Sequence, residues 1–262
     1  MAHVKVPLEE DTQGLEEIRR YNKEFLNSYR GSRLVREFLE EASTNEDLLV
    51  RFLRGRKYRS QRAWETLKRY AEVRFDVHPE VFPQKYPEEL HSLQENPLLG
   101  VLKSRDSLGR RIMFINASDW EPDQHSMEIM TIASVLLAER LLLDEDALTN
   151  GIVFIQQCSG VGMKQAHQYT LRAMRRLVNI FWYAFPLKIK EIYYLNVPTV
   201  LSCAFAMVRP FLTKKLKERL NVTGTGKPSN KIYENFSPNI LPKCLGGVLD
   251  IHDAVDTSFL KF

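Results

Sequence analysis

The groups that could do chemistry in this sequence fail, one after another, to form the patterns that chemistry requires. Gly160-Val161-Gly162 lies between an apolar run and a helical one, the setting of a dinucleotide-binding turn. The third glycine position is Gln165, however, and Asn196 rather than an acid ends the next strand, so a turn of small residues explains the pair. Ser159 sits where a nucleophilic serine would stand, yet Gln157 and Val161 occupy the flanking positions that the tight elbow needs as glycine. Gly224-Thr225-Gly226-Lys227 resembles the end of a phosphate loop. Its first glycine is missing, and Pro228 replaces the hydroxyl residue that would hold magnesium. The six histidines, His3, His78, His91, His125, His167 and His252, form no pair at metal-binding spacing. No acid with a partner falls at the end of a predicted strand. The sequence therefore predicts no catalytic residue, no metal and no cofactor.

What the chain does concentrate is positive charge beside apolar surface. Net charge is only +4, from 37 basic and 33 acidic residues, too mild to imply a nucleic-acid partner. Locally the balance is different. Nine basic residues lie between Arg51 and Arg74, opposed by Glu65 and Glu72 alone. Most of these read as a solvated helix face. Phe185–Leu220 (FPLKIKEIYYLNVPTVLSCAFAMVRPFLTKKLKERL) carries Lys188 and Lys190 at its start and Lys214, Lys215, Lys217 and Arg219 near its end. Between them, Pro198–Arg209 reads as a helix about 18 Å long, far short of a membrane span. Val200, Leu201, Ala204, Phe205 and Val208 form one face, and Cys203, Ala206 and Met207 leave the other nearly as apolar. A helix without a polar side belongs inside protein or against lipid. A core helix and a lid over a ligand both satisfy that requirement.

The elements that position these groups follow from periodicity. Through about residue 75 the pattern is helical: Leu15, Ile18, Tyr21, Phe25 and Tyr29; then Leu34, Val35, Phe38 and Leu39; then Leu48, Leu49, Phe52 and Leu53; then Ala63, Trp64, Leu67 and Tyr70. Asn45 is placed to start the third helix, Gly55 to stop it, and Ser60 to cap the fourth. Four short amphipathic helices make a small bundle. A proline- and charge-rich connector spans 78–97, with one short helix near Glu88–Gln94. Leu98–Lys103 and Arg111–Ile115 then flank turn residues and predict a hairpin. Ser126–Leu143 reads as a long helix, Gly151–Ile155 as a buried parallel strand, Met163–Tyr183 as a single helix and Ile189–Leu195 as the next strand. Leu220–Thr223 adds a short strand, Ser229–Phe236 a small helix and Leu241–Leu249 a turn-rich closing segment. The fold class is α/β: an N-terminal helical bundle, then a mixed, mostly parallel sheet with crossover helices.

Three well-separated cysteines, Cys158, Cys203 and Cys244, predict no disulfide framework. The opening MAHVKVPLEEDTQ lacks an apolar core, so no secretory signal is predicted and the expected setting is cytoplasmic. The glycosylation-type triplets at Asn116, Asn221 and Asn235 then read as chance matches.

Taken together, Leu48–Tyr70, Asp106–Ile112, Gly151–Gly160, Phe185–Leu220 and Leu241–Leu249 resemble one family, the CRAL-TRIO lipid-transfer proteins, in order and over nearly the whole chain. Within it the resemblance is to the subgroup of tocopherol and retinaldehyde carriers. It implies a helical N-terminal domain at 1–77, the connector at 78–97 and a lipid-binding domain at 98–262 whose apolar pocket is closed by a mobile helix, here Pro198–Val208. The implied pocket positions are Ser134, Ile152, Ile180, Phe181, Leu187, Ile189 and Ile192. Gln156 joins them where a tocopherol-type pocket carries an aromatic residue. The implied phosphoinositide cleft is Arg54, Lys188, Lys190 and Arg219, with Lys215 nearby. The expected protein is a monomer that carries a hydrophobic small molecule or lipid (a retinoid, a tocopherol or another isoprenoid) and meets membranes transiently, phosphoinositide triggering release through the lid. A phosphoinositide-binding regulatory module is the alternative. Gln156, Gln157 and Ser134 are the candidates to hydrogen-bond the cargo.

Overall fold

The structure is a computed structural model in which the described residues are 9–226 and 230–261; the side chains of 9, 10, 202, 203, 208, 230, 231 and 233 fall outside the description. The chain divides into two compact units. One comprises the residues through Glu80 together with Asn179–Pro186, the other Val81–Val178 with Leu187–Phe262.

The first unit holds four helices, α1 (Glu9–Ser28), α2 (Arg33–Thr44), α3 (Glu46–Gly55) and α4 (Ser60–Glu72). Their apolar stripes supply a closed core, with Ile18, Val35, Leu39, Phe52, Leu53, Ala63 and Leu67 all at 0% exposure. Asn45 starts α3 as expected, its side chain accepting from the Leu48 amide. Gly55 is the last residue of α3, as expected, and the left-handed Lys57 and Tyr58 follow at φ 54° and 58°. Gly55 also permits a close approach, since a Cβ there would stand 2.2 Å from the Pro186 carbonyl oxygen. One expectation needs correction: Ser60 is the first residue of α4, and Arg59 holds the cap position without a side-chain bond.

The second unit is built on one sheet. After α5 (Leu90–Glu95), β1 (Leu99–Arg105) and β2 (Arg111–Asn116) form the predicted antiparallel hairpin. Helices α6 (Met127–Leu141) and α7 (Glu145–Thr149) lead to β3 (Ile152–Gln157). Next come α8 (Met163–Ala166), α9 (Leu171–Val178) and β4 (Ile189–Val197), then α10 (Ser202–Val208), α11 (Lys214–Arg219) and β5 (Leu220–Gly224). The strands run in the order β1-β2-β3-β4-β5, and every pair after the hairpin is parallel. The chain closes with α12 (Asn230–Asn235) and α13 (Ile251–Ala254), and Val255 bridges to Leu102 on β1.

Two helix expectations are corrected here as well. Met163–Tyr183 is not one helix. It breaks after α8; the Thr170 hydroxyl then accepts from the Ala173 amide to start α9, and a π-helical turn, Asn179–Ala184, follows. Pro198–Arg209 is likewise shorter as an α-helix: α10 stands between 3-10 turns at Thr199–Leu201 and Arg209–Phe211.

Parallel register decides which side chains share a face. Phe114, Ile155 and Tyr193 are partners across three strands, as are Met113, Phe154, Ile192 and Leu220 across four and Ile115, Gln156, Tyr194 and Val222 across four. The Phe114 face is sealed: Ile112, Phe114, Val153 and Ile155 are 0% exposed and Tyr193 is 1% exposed. The segment after β5 covers it, with the Phe236 ring edge-on to Tyr193 at 5.7 Å and the Cys244 carbonyl accepting from Gln157. The other face is different. Sequential parallel strands joined by right-handed crossovers place all their connecting helices on one side, and there Ile115, Phe154, Tyr194 and Leu220 remain half-buried while Val222 is 47% exposed.

Candidate functional site: an apolar sheet face beneath a short helix

The partly covered face is where the predicted ligand-facing residues of β3 and β4 collect. Gln156 on β3 is buried at 6% exposure, in the same row as Tyr194. Its amide Nε2 donates to the Tyr169 hydroxyl at 3.1 Å. Tyr169 lies in the break between α8 and α9, and Trp120 meets its ring edge-on at 6.0 Å. Across the row, the Tyr194 ring meets Phe205 of α10 at 4.8 Å and Phe154 at 6.1 Å. Burial pushes both phenols well above the ordinary tyrosine range, so both keep their protons at neutral pH.

Helix α10 presents two apolar sides. Leu201, just before it, is 2% exposed and Ala204 is 8% exposed, packed inward with half-buried Phe205. Leu201 joins a cluster with Ala117, Cys158, Val161 and Val197 that Tyr169, Tyr194 and Phe205 also touch. Burial pushes the Cys158 thiol up to about 12, which makes it an inert core group. On the outside, Val200 and Met207 are each 37% exposed and Ala206 is exposed. Val208, assigned to the same inner face from sequence, lies outside the described side chains. Helix α9 packs beside α10 with Arg172 and Arg175 exposed, and the Arg175 guanidinium lies 4.8 Å over the Phe211 ring. The outer apolar side of α10 is thus rimmed by cations.

The other pocket positions distribute as follows. Ile152 (2% exposed) and Ile192 (3%) are buried strand residues, Leu187 is buried just before β4, and Ile189 is half-buried at its start. Ser134 is buried on α6, where its hydroxyl donates to the Met130 carbonyl at 2.8 Å. Ile180 and Phe181 belong to the first unit, Ile180 at 0% exposure and Phe181 stacked on Phe185 at 6.1 Å. Gln157, also a candidate from sequence, points to the sealed face. Its carbonyl oxygen accepts from the amides of Cys158 and Ser159 and from Asn196, and its amide donates to Cys244. These bonds tie it into the sealed face.

The basic residues fall into two groups. In the second unit, the Arg219 guanidinium at the end of α11 donates to the Ile189 carbonyl, between Lys188 and Lys190. The Lys188 ammonium donates to the Leu148 carbonyl at 2.6 Å, and the Lys190 stem lies over Gly151, where a Cβ would come within 2.9 Å of it. Gly151 holds φ 89°, and its own carbonyl accepts from Arg111. Three cations from two distant parts of the chain therefore gather at the start of β4, with exposed Lys215 on α11. Arg54 sits in the first unit, where it pairs at 3.2 Å with fully buried Asp11. A second ionic network holds the hairpin: Arg110 pairs with Asp106 and, at 2.9 Å, with Glu191, which accepts from Tyr193. It is structural in kind, since its groups are consumed by one another.

Among the described residues no helix is long and apolar enough to cross a membrane, and no group of three or more His, Cys, Asp or Glu could hold a metal ion. Sequence reasoning did not single out Tyr169, Tyr194 or Phe154. The period-2 alternation through β3 and β4 carried a signal for the last two; nothing local marked Tyr169.

Fold and site together define an α/β domain whose mostly parallel sheet is sealed on one face and keeps an incompletely covered apolar layer on the other. The chain belongs to the CRAL/TRIO domain family, whose model matches residues 95–247. It is 31% identical over 216 residues to the alpha-tocopherol transfer protein-like protein of Homo sapiens, covering 82% of this chain and 62% of that one. It is 28% identical over 213 residues to clavesin-2 of Mus musculus, covering 80% of this chain and 64% of that one. The chain thus spans less than two thirds of the length of these curated relatives. Among solved structures it is similar to Sfh5 at 11% identity and a TM-score of 0.47, over 84% of this chain and 82% of that one, a likeness too distant to bear on the site.

Proposed function

We propose that this protein binds one hydrophobic small molecule between the Phe154–Tyr194 face of its sheet and α10, and passes it between membranes without covalent chemistry. The carrying observation is the asymmetry of the sheet: one face sealed, the other apolar, partly uncovered and roofed by a helix that is apolar on both sides. Family membership and the name of the alpha-tocopherol transfer protein-like relative support the reading. Retinoids, tocopherols and other isoprenoids all match such a wall.

Release follows from the same geometry. Burying one Leu or Phe side chain is worth about 1.5–3 kcal/mol whether the cover is protein or acyl chain. Helix α10 exchanges its contacts with Tyr194 for lipid at small net cost, and the exposed Val200 and Met207 already present the side that meets the bilayer. Lys188, Lys190, Arg219 and Lys215 then serve a phosphoinositide headgroup. Arginine can grip phosphate through two hydrogen bonds, and each cation near an anionic leaflet adds about 1 kcal/mol. The cluster lies five residues from the Tyr194–Phe205 contact, about 16 Å along β4, so headgroup binding and lid opening act on the two ends of one strand. In this reading the protein is a cytoplasmic carrier, transiently membrane-bound.

The test is organic extraction of the purified protein with mass spectrometry, followed by transfer of the recovered compound between vesicles. A stoichiometric lipophile that moves faster with protein present is the expected result. Headgroup binding with no lipophile bound or transferred would instead establish a regulatory membrane-binding module.

A further inference from the structure

Of the three polar residues the sequence offered for contact with cargo, two are spent. The Ser134 proton goes to the Met130 carbonyl, and Gln157 is bonded into the sealed face. Gln156 is different. It is more than nine-tenths buried, stands in a row with Ile115, Tyr194 and Val222 whose other polar group is the Tyr194 phenol, and among the described residues its side chain bonds to Tyr169. We infer that the Gln156–Tyr169 pair is the polar recognition point of this partly covered face and selects an uncharged lipophilic alcohol. This inference rests on the carrier reading above.

The argument is one of hydrogen-bond capacity. A primary amide has two donors and an acceptor oxygen, and a phenol has one donor and acceptor lone pairs. With Gln156 Nε2 donating to Tyr169, the phenol proton, the second amide proton and Gln156 Oε1 are left over. With the amide turned the other way, the phenol would donate to Oε1, leaving a phenol lone pair and both amide protons. In both orientations the pair keeps at least one donor and one acceptor. A hydroxyl answers both at once, because it donates and accepts. An ether or ester can only accept, and a hydrocarbon leaves both groups dry and unpaired. A carboxylate is disfavoured for another reason. The contacts around the pair, Trp120, Cys158, Tyr194, Phe205 and the Val161 cluster, carry no positive charge among the described residues, and a buried anion needs a counter-charge.

Two contacts hold the pair in place. Trp120 fixes the Tyr169 ring edge-on, and the Trp120 indole is itself anchored to the His125 carbonyl at 2.6 Å. Tyr169 therefore cannot swing away without disturbing a buried aromatic contact, and the donor–acceptor pair is preorganised.

The test uses the full chain, stripped of lipid, with geranylgeraniol and octadecanol and the methyl ether of each as probes. Binding is read from intrinsic tryptophan fluorescence, to which Trp120 contributes beside the site. The alcohols should bind at least about tenfold more tightly than their ethers, the effect of one added hydrogen bond in a dry site. Gln156→Leu, which removes the acceptor, should bring that ratio below about threefold, whereas Tyr169→Phe, which keeps the ring and removes a donor that an ether also uses, should weaken alcohol and ether alike. Octadecanoate should bind less tightly than octadecanol. Equal affinity of alcohol and ether in the wild type, a ratio untouched by Gln156→Leu, alcohol and ether affinities both untouched by Tyr169→Phe, or tighter binding of octadecanoate would overturn the assignment and leave the carrier reading standing. Failure of every probe to bind would overturn both.

Discussion

The Tyr194 ring on β4 meets the Phe205 ring on α10 edge-on, with centroids 4.8 Å apart and planes at 86°. This contact joins the partly uncovered sheet face to the helix proposed to leave it. An aromatic pair of this kind is worth about 0.5–1.5 kcal/mol beyond its area, enough to bias a helix closed and little enough for lipid to replace.

Phe205→Ala should therefore weaken closure rather than the fold. A bound lipophile should leave about three- to tenfold faster, the rate equivalent of that energy, while the denaturation midpoint moves little. Stopped-flow transfer to acceptor vesicles measures the rate. An unchanged release rate would remove α10 as the gate.

The cations at the start of β4 act on the membrane side of the exchange. Lys188→Ala/Lys190→Ala should lower transfer to phosphoinositide-containing vesicles by up to about thirtyfold, at about 1 kcal/mol per lost charge, and leave transfer to neutral vesicles within about twofold. Raising the salt concentration should shrink the wild-type difference toward that of the variant. Equal rates for variant and wild type on both vesicle types would exclude the headgroup role.

Gly151 is the backbone support of that cluster. At φ 89°, with a Cβ position 2.4 Å from the Lys188 carbonyl oxygen and 2.9 Å from the Lys190 stem, it has no room for a side chain. Gly151→Ala should cost about 1–3 kcal/mol, seen as a lower urea midpoint. It should also displace Lys188 and Lys190, so its transfer defect should resemble that of the double lysine variant.

His125 ties stability to pH. Burial pushes its imidazole below the ordinary histidine value of 6.5, outweighing the opposing pull of Glu89, while Nε2 shares a 2.6 Å hydrogen bond with Ser92. A base whose folded value is depressed is stabilised while neutral. Its contribution is complete above the unfolded value and is lost as pH falls through 6.5 toward the folded value. The urea midpoint should drop between pH 7.5 and pH 5.5, and His125→Gln should flatten that drop. A wild-type midpoint constant over the range would refute the assignment.

Much of the fold was legible because periodicity and punctuation are local. The helical stripes of α1–α4, the Asn45 cap, the hairpin with its Asp106–Gly109 turn, and the apolar runs of β3 and β4 all announce themselves within a dozen residues. The helix breaks were harder. Tyr169–Thr170 interrupts a pattern that reads as one helix, because the Thr170 cap and the turn of Tyr169 toward Gln156 outweigh the apolar spacing on either side.

Composition and pattern by themselves determined that this chain has a helical bundle, an α/β sheet, no assembled catalytic motif, and a short apolar helix between basic flanks. Tertiary structure alone decided which of those residues meet. Parallel register put Gln156 in a row with Tyr194 and Val222 and turned Gln157 to the opposite, sealed face. The crossover connections brought Tyr169 to Gln156 across 13 positions and Arg219 to Ile189 across 30. The physical reason is that a strand's two-residue period marks two faces without saying which will be covered. That choice belongs to the handedness of the crossovers and to the segments that return, late in the chain, to close one side of the sheet.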